Sequence, residues 1–222
     1  MIRTHLKLLA FIENHYLNKA VPKPILKHTY SAGALILKQG SPSSHVYFIQ
    51  QGITKVYFNE ENGKDYILEF LGKGQIIGEI EALKKAICLC NIEAITNTTL
   101  YSIPKSYFND LITSDTVFSK LILDELADRI INTNSRSSIE QLYKIEYTLL
   151  HLIYLLDKEQ IKPNKEDIAS YLGVTIRRLE IVLIKLKYKL NTKKTTSEFQ
   201  NYFGDDILIK LIRYFKDDWD LI

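Results

Sequence analysis

The sequence has 222 residues, with 29 Lys and Arg against 26 Asp and Glu, a formal net charge of +3. Hydrophobic residues make up 46% and there are only 5 Pro, which excludes a disordered tail or a fibrous repeat. No stretch approaches the roughly 18 apolar residues of a membrane span, and the N-terminus lacks a signal-peptide pattern. Cys88 and Cys90 are the only cysteines, which excludes a disulfide scaffold. We expect a cytoplasmic protein without a membrane partner.

The first half of the chain predicts a β domain. A short amphipathic helix begins near Leu6, and residues 25–104 then lack helical periodicity and are rich in β-branched and aromatic residues. Turn signals, among them Asn62-Gly63, separate the predicted strands. These strands cover residues 26–30, 35–38, 45–51, 53–59, 65–71, 76–78, 87–94 and 98–104. Short strands without long helices between them predict an antiparallel sandwich or jelly roll.

Helical periodicity begins at Ser106. A short helix around residues 107–112 precedes a long helix from Thr116 to about Ile139. The apolar residues of this helix form a narrow stripe along its length, here called the seam. Because the nearby β domain offers too little surface to cover the whole seam, we predict that the helix pairs with a second copy; the alternative is packing on its own β domain. The predicted dimerisation residues are Phe118, Leu121, Ile122, Leu126 and Ile130. Polar residues 134–140 predict a hinge before a second domain.

The charge is unevenly distributed along the chain. Residues 161–196 contain nine basic and three acidic residues, a local charge of +6, whereas the last 26 residues carry −3. This basic segment predicts a face that binds a polyanion, and the alternative is a solvated lysine-rich helix.

Residues 165–184 have the pattern of a helix-turn-helix. Ala169 supplies the small residue where two helices cross, and Gly173, four positions later, tolerates the positive φ of the turn. Asn164 and Thr175 are predicted N-caps of the two helices. The predicted core residues are Ile168, Leu172, Val174, Leu179 and Val182.

The second helix of this motif is predicted to enter the DNA major groove with its N-terminal residues facing the bases. Arg177 and Arg178 are the candidates for base or backbone contacts, because a guanidinium bonds guanine O6 and N7 together. Lysines further along are assigned to phosphate, with simple solubility as the alternative. The predicted DNA-binding residues are Thr175, Ile176, Arg177, Arg178, Glu180, Ile181, Lys185, Lys187 and Lys189, with Lys193 and Lys194 beyond them.

The order of these parts resembles the CRP/FNR family of bacterial transcription regulators. Val46-Tyr-Phe-Ile-Gln-Gln-Gly52 and Gly72-Lys-Gly-Gln-Ile-Ile-Gly-Glu79 match motifs of the family's β-roll, and Gly78–Leu83 with Tyr171–Leu179 are similar to its YeiL-like branch. The resemblance implies an α+β fold with an N-terminal double-stranded β-helix, a jelly roll of the cyclic nucleotide-binding type. It further implies a long dimerisation helix and a C-terminal winged helix-turn-helix. The implied ranges are 1–110, 111–138 and 139–222. The implied partners are a double-stranded DNA operator, a second copy of the chain and RNA polymerase.

The resemblance also bears on the effector pocket. Family members that bind cyclic AMP use a Gly-Glu motif, matched here by Gly78 and Glu79, followed by an Arg-Ser pair. Cys88 and Leu89 stand at the Arg-Ser positions, so the cation for the phosphate is missing. We therefore predict a degenerate pocket and no cofactor, with a lysine at position 84 or 85 as the alternative phosphate ligand.

The sequence gives little support for a metal site or a redox switch. Two cysteines cannot supply a four-thiolate iron–sulfur cluster, and the five histidines have no metal-binding spacing. Cys88 and Cys90, on one predicted strand, would point to opposite faces, which disfavours a mutual disulfide. Small buried thiols are the favoured interpretation, and a redox switch is the alternative.

The C-terminus departs from the family pattern. Residues 190–199 are polar and predict a rudimentary wing, and an amphipathic helix at 207–215 lies in an acidic terminal segment. The sequence thus favours a homodimeric, sequence-specific DNA-binding regulator. The alternative is a ligand- or redox-sensing β-roll that acts through protein contacts. No catalytic motif indicates an enzyme.

Overall fold

The computed structural model of the chain describes residues 2–18, 24–61, 63, 65–158 and 164–190. In the two helices that end at residues 158 and 190, side chains are described as far as residues 156 and 186. The chain divides into two compact units, here called the N-terminal unit (Met1–Asn134) and the C-terminal unit (Ser135–Ile222). None of the described helices is both long and apolar enough to cross a membrane.

The N-terminal unit contains two β-sheets. Its strands are β1 (Ile2–Arg3), β2 (Leu26–Tyr30), β3 (Leu35–Leu37), β4 (His45–Gln51), β5 (Thr54–Asn59), β6 (Asp65–Leu71), β7 (Ile76–Ile77), β8 (Asn91–Ala94) and β9 (Thr98–Pro104). One sheet has the order β1-β6-β5-β8-β3, and the other has the order β2-β9-β4-β7. All the described pairings are antiparallel except β1 with β6. The predicted α+β class and antiparallel sandwich are confirmed.

Five of the described helices correspond to helices that the sequence predicts, whereas those at Glu79–Lys84 and Ile145–Lys158 were not predicted. The described helices are α1 (Leu6–Leu17), α2 (Glu79–Lys84), α3 (Lys105–Ser114), α4 (Thr116–Leu142), α5 (Ile145–Lys158), α6 (Lys165–Tyr171) and α7 (Ile176–Leu190). The boundary between the two compact units falls inside the sequence of α4.

The core of the N-terminal unit includes two apolar clusters. The first joins Phe48 of β4 and Phe108 of α3 to Phe118 of α4, with apolar residues of α1 around them. The second is formed by strand residues that include Ile49 and Leu100. Burial of each such side chain contributes about 1.5–3 kcal/mol. These contacts hold α1, α3 and the first half of α4 against the strands.

The prediction of one strand over residues 87–94 is wrong in its first half. Only Asn91–Ala94 is a strand, and the short helix α2, which the sequence did not predict, precedes a loop. In this loop the Cys88 N–H donates to Ser41 O (2.9 Å), and Cys88 O accepts from the Gly40 N–H (2.8 Å). The backbone groups are thus used by another loop instead of a neighbouring strand, and the cysteines do not share a strand.

The predicted hinge at 134–140 coincides with the division of the chain between Asn134 and Ser135, but the segment is helical, because α4 continues through it to Leu142. This polar segment contains no Gly or Pro to end a helix. Arg136 Nε donates to Glu140 Oε1 (2.6 Å), a pair one turn apart that supports the helix. The helix predicted to about Ile139 therefore extends to Leu142.

The predicted dimerisation seam needs a correction on α4. Phe118 and Ile122 are 0% and 2% exposed, and both lie in the core of their own unit. Leu121 and Leu126 are partly buried against the same cluster. Ile130, by contrast, is 62% exposed. The first half of this seam therefore packs on its own β domain, as the alternative to dimerisation predicted.

Candidate functional site: the roll cavity and the α6–α7 turn

A cavity of about 190 Å³ opens in the N-terminal unit beside β5, β6, α2 and α4. Its wall is mostly apolar and includes Val56, Phe58, Leu89 and Ile92. Its charged lining residues are Glu69, Glu79, Glu81 and Arg129. The volume is below the roughly 300 Å³ at which typical ligand pockets begin, so the space suits a small molecule.

Glu79 at the start of α2 is the most deeply buried carboxylate of the cavity, 1% exposed. Arg129 of α4 donates to Glu79 Oε1 through Nη1, and its Nε lies 3.8 Å from Glu69 Oε1. Burial raises the pKa of Glu79 above its usual range, and the positive charge of Arg129 offsets part of that rise. Glu79 is therefore an ion-pair residue that connects α2 with α4.

Arg3 of β1 extends this network beyond the residues that line the cavity. Its Nη1 donates to Glu125 Oε1 (3.0 Å), and Gln75 Nε2 donates to Glu125 Oε2 (2.9 Å). Arg3 Nη2 lies 2.7 Å from Glu69 Oε2 without hydrogen-bond geometry, so this contact is purely an ion pair. Burial lowers the pKa of Arg3, and Glu69 opposes that shift.

The four predicted pocket residues have different positions. Gly78, Glu79 and Leu89 line the cavity, whereas Cys88 belongs to the second core cluster and Cys90 lines the cavity in its place. Gly78 has φ 86°, and a Cβ there would lie 3.1 Å from His45 O, so a side chain would be strained.

The loop after α2 is tied back to that helix. The Leu89 N–H donates to Glu81 Oε1 (3.0 Å). Burial, followed by the negative charge of Glu81, raises the pKa of Cys90 to about 12, and burial raises the pKa of Cys88 as well. Neither thiol is therefore activated as a thiolate near neutral pH.

Five residues of the network were not among the predicted site residues: Arg3, Glu69, Gln75, Glu125 and Arg129. A signal for two of them was present, because Glu125 and Arg129 continue the buried face of α4 that starts with Phe118 and Ile122, at spacings of three and four. Charged residues on an inward helix face indicate buried ion pairs. Glu69 lies in a strand without such a signal.

In the C-terminal unit, α6 and α7 are joined by the turn Leu172–Thr175. The Asn164 side chain accepts the Asp167 N–H (2.6 Å), and Thr175 Oγ1 accepts the Arg178 N–H (3.2 Å), so both predicted caps are confirmed. Gly173 has φ 64°, as predicted for the turn. Ile168, Ala169, Leu179 and Val182 are buried, whereas Leu172 and Val174 are half-buried.

The exposed face of α7 contains the predicted DNA-binding positions. The exposed residues here are Thr175, Ile176, Arg177, Arg178, Glu180, Ile181 and Lys185. Lys165 Nζ lies 3.4 Å from Glu180 Oε1 across the two helices. The side chains of Lys187 and Lys189, together with Lys193, Lys194, the predicted wing and the acidic C-terminal helix, lie outside the described residues.

Arg136 holds the end of α6. Its Nη2 donates to Tyr171 O (2.7 Å), and its guanidinium carbon lies 3.8 Å from the centre of the Tyr171 ring. The carbonyl of Tyr171 belongs to the last turn of α6, and carbonyls in the last turn of a helix generally need partners from outside it. One guanidinium thus caps α6 and stacks on its last side chain.

The N-terminal unit contains a region that matches a known domain family. Residues 27–115 match the family model of the cyclic nucleotide-binding domain. Over the described residues no group of three or more His, Cys, Asp or Glu is arranged to hold a metal ion.

Comparisons with individual proteins extend this result. The chain is 24% identical over 149 residues to Regulatory protein YeiL of Escherichia coli O157:H7, covering 67% of this chain and 68% of that protein. It is 33% identical over 81 residues to lysophospholipase NTE1 of Phaeosphaeria nodorum, but spans only 5% of that enzyme.

Solved structures share the fold. The c-di-GMP-responsive global regulator CLP of Xanthomonas campestris is similar with a TM-score of 0.69 and 16% identity, over 81% of this chain and 92% of CLP. A CRP/FNR-family regulator of Thermus thermophilus has a TM-score of 0.63 and 17% identity, over 74% and 87% of the two chains. The predicted resemblance to the CRP/FNR family is confirmed.

Proposed function

We propose that this protein is a homodimeric, sequence-specific DNA-binding transcription regulator. In this proposal the N-terminal jelly roll is a sensor domain, residues 111–138 belong to the dimerisation helix, and residues 139–222 form a winged helix-turn-helix domain. Double-stranded DNA, a second copy and RNA polymerase are the proposed partners. The similarity to YeiL and to CRP/FNR-family regulators supports this assignment.

The exposed face of α7 is the observation that carries the DNA-binding proposal. Arg177 and Arg178 are exposed in the first turn of α7, while Leu179 and Val182 anchor the opposite face in the core. A helix anchored in this way presents its first turn outward, as a major-groove helix must. Lys185 adds a positive charge about two turns further on, suited to phosphate.

The proposed dimer interface lies on the exposed face of α4. Leu123 and Ile130, seven residues apart, are 66% and 62% exposed, and Ala127 between them is exposed as well. Apolar residues at this spacing suit a two-stranded coiled coil. This face replaces Phe118 and Ile122 of the predicted seam, and Ile130 is retained from it.

The DNA proposal is tested by selection of bound sites from a random duplex library, followed by affinity measurements at several salt concentrations. Arg177→Ala combined with Arg178→Ala is expected to weaken binding to the selected site by roughly a hundredfold, since a base contact contributes about 1–3 kcal/mol. Lys7→Ala with Lys144→Ala removes the same charge from exposed residues elsewhere and serves as the control. If no sequence is enriched, the proposed specificity is wrong.

We further propose that the pocket does not hold a cyclic nucleotide in the usual way. Three carboxylates and one guanidinium are the charged groups of the lining, and the guanidinium of Arg129 is already paired with Glu79. A buried phosphate needs a cation of its own. Calorimetric titration with cyclic AMP and cyclic GMP tests this, and micromolar binding would overturn it.

The second candidate function is a sensing module that acts through protein contacts. The cavity favours a ligand-sensing version, while the raised pKa values of Cys88 and Cys90 disfavour a redox version. This candidate predicts that the combined Arg177→Ala and Arg178→Ala variant regulates its target normally. Loss of promoter occupancy by a folded variant would rule it out.

A further inference from the structure

The cavity of the N-terminal unit contains one buried carboxylate whose charge is not balanced. Glu81 of α2 is 8% exposed and lines the cavity. Its Oε1 accepts the Leu89 N–H, whereas its Oε2 has no hydrogen-bond or ion-pair partner within the described part of the chain. Oε2 is not among the fully buried side-chain atoms that lack a partner, so it remains accessible to a ligand.

The neighbouring cations do not balance Glu81. Arg129 and Arg3 together contact Glu69, Glu79 and Glu125, so two guanidiniums already serve three carboxylates. Including Glu81, the cavity and the network connected to it contain four carboxylates against two guanidiniums. This excess of carboxylates favours a cation over an anion in the cavity.

The wall next to Glu81 defines the rest of the ligand. Val56, Phe58, Leu89 and Ile92 line the cavity with apolar atoms, and Phe58 adds an aromatic ring. Such a wall gains free energy by covering an apolar body, and an aromatic face also attracts a cation. The volume of about 190 Å³ limits that body to a small molecule.

We propose that this cavity binds a small organic cation, an amine on an aromatic or aliphatic body, whose nitrogen pairs with Glu81 Oε2. The apolar body lies against the wall that contains Val56 and Ile92. The inference deepens the proposed sensor role of the roll and rests on it for its regulatory meaning. Binding itself is measured without DNA, so the two proposals can fail separately.

The test compares three probes of similar size on the full-length protein by calorimetry or ligand-observed NMR. They are 2-phenylethylamine, which is a cation, 2-phenylethanol, which is neutral, and phenylacetate, which is an anion. We expect the amine to bind about tenfold or more tightly than the alcohol, and the phenylacetate to bind most weakly, because a hydrogen bond to a charged group is stronger than a neutral one.

A variant pair locates the effect. Glu81→Gln keeps an acceptor for the Leu89 N–H but removes the charge, so amine affinity is expected to fall to that of the alcohol. Glu61→Gln removes the same charge from an exposed residue and is expected to leave the preference unchanged. The proposal is overturned if phenylacetate or cyclic AMP binds as well as the amine does. It is also overturned if the wild-type protein binds no amine at about 10 mM, or if both variants behave alike.

Discussion

The ion pair between Arg129 and Glu79 gives the sharpest test of how the N-terminal unit is held together. Arg129→Met keeps a long side chain on α4 but removes the cation from a carboxylate that is 1% exposed. Removing one partner of a buried pair costs about 3–5 kcal/mol. Since the Arg129 side chain is 20% exposed at the cavity, we expect the lower end, about 3 kcal/mol.

The loss of stability has a defined dependence on pH. Burial raises the pKa of Glu79 in the folded protein above the unfolded value of about 4.3, so the folded state holds this proton more tightly. Stability from Glu79 is thus fully present below that unfolded value and is lost as pH rises through the folded pKa. Arg129→Met removes the charge that restrains this pKa, so the deficit of the variant grows with pH.

The assay is urea unfolding of the full-length protein at about pH 5 and about pH 8, with hydrogen exchange to assign the transition to residues 26–104. Glu79→Gln added to Arg129→Met is expected to restore most of the loss, because the buried charge is then gone. Lys120→Met, at an exposed position of the same helix, is the control and should change stability by about 0.5 kcal/mol or less. A deficit equal at both pH values, or no recovery in the double variant, would refute the argument.

Three further predictions concern the helices. Gly173→Ala introduces a Cβ at φ 64° and is expected to lower the stability of the C-terminal unit by about 1 kcal/mol, measured by thermal unfolding. Arg136→Lys loses the planar stack on Tyr171 and is expected to reduce hydrogen-exchange protection of α6 by about 1–2 kcal/mol; unchanged protection would contradict this cap. Replacing Leu123 and Ile130 by Asp is expected to weaken the dimer about a hundredfold in analytical ultracentrifugation, and a dimer that survives intact would place the interface elsewhere.

Local patterns predicted the local structure well. β2, β4, β6 and β9 have the bounds that alternation and turn residues predict, and the caps at Asn164 and Thr175 involve neighbouring residues only. The strand predicted over residues 87–94 failed because its backbone bonds go to a loop about 47 residues away in the sequence. Pairing over such distances depends on the assembled sheet and leaves no periodic signal.

The site was less predictable than the fold for the same reason. Gly78 and Glu79 could be located from a short motif, but the partner of Glu79 is Arg129, 50 residues further on. The α4 pattern places Arg129 on an inward face without specifying what it meets. Identifying Glu81 as the unbalanced carboxylate requires knowing every cation near it, which only the folded structure supplies.

The buried charges also determine which ligands can enter the cavity without breaking an existing ion pair. An anion could bind Arg129 only by displacing Glu79, and the displaced carboxylate would then remain buried without its cation. A cation at Glu81 breaks no existing ion pair, because that carboxylate has none among the described residues. Ligand charge therefore separates two outcomes: cations add an interaction at Glu81 and leave α2 joined to α4, whereas anions must first break the contact between them.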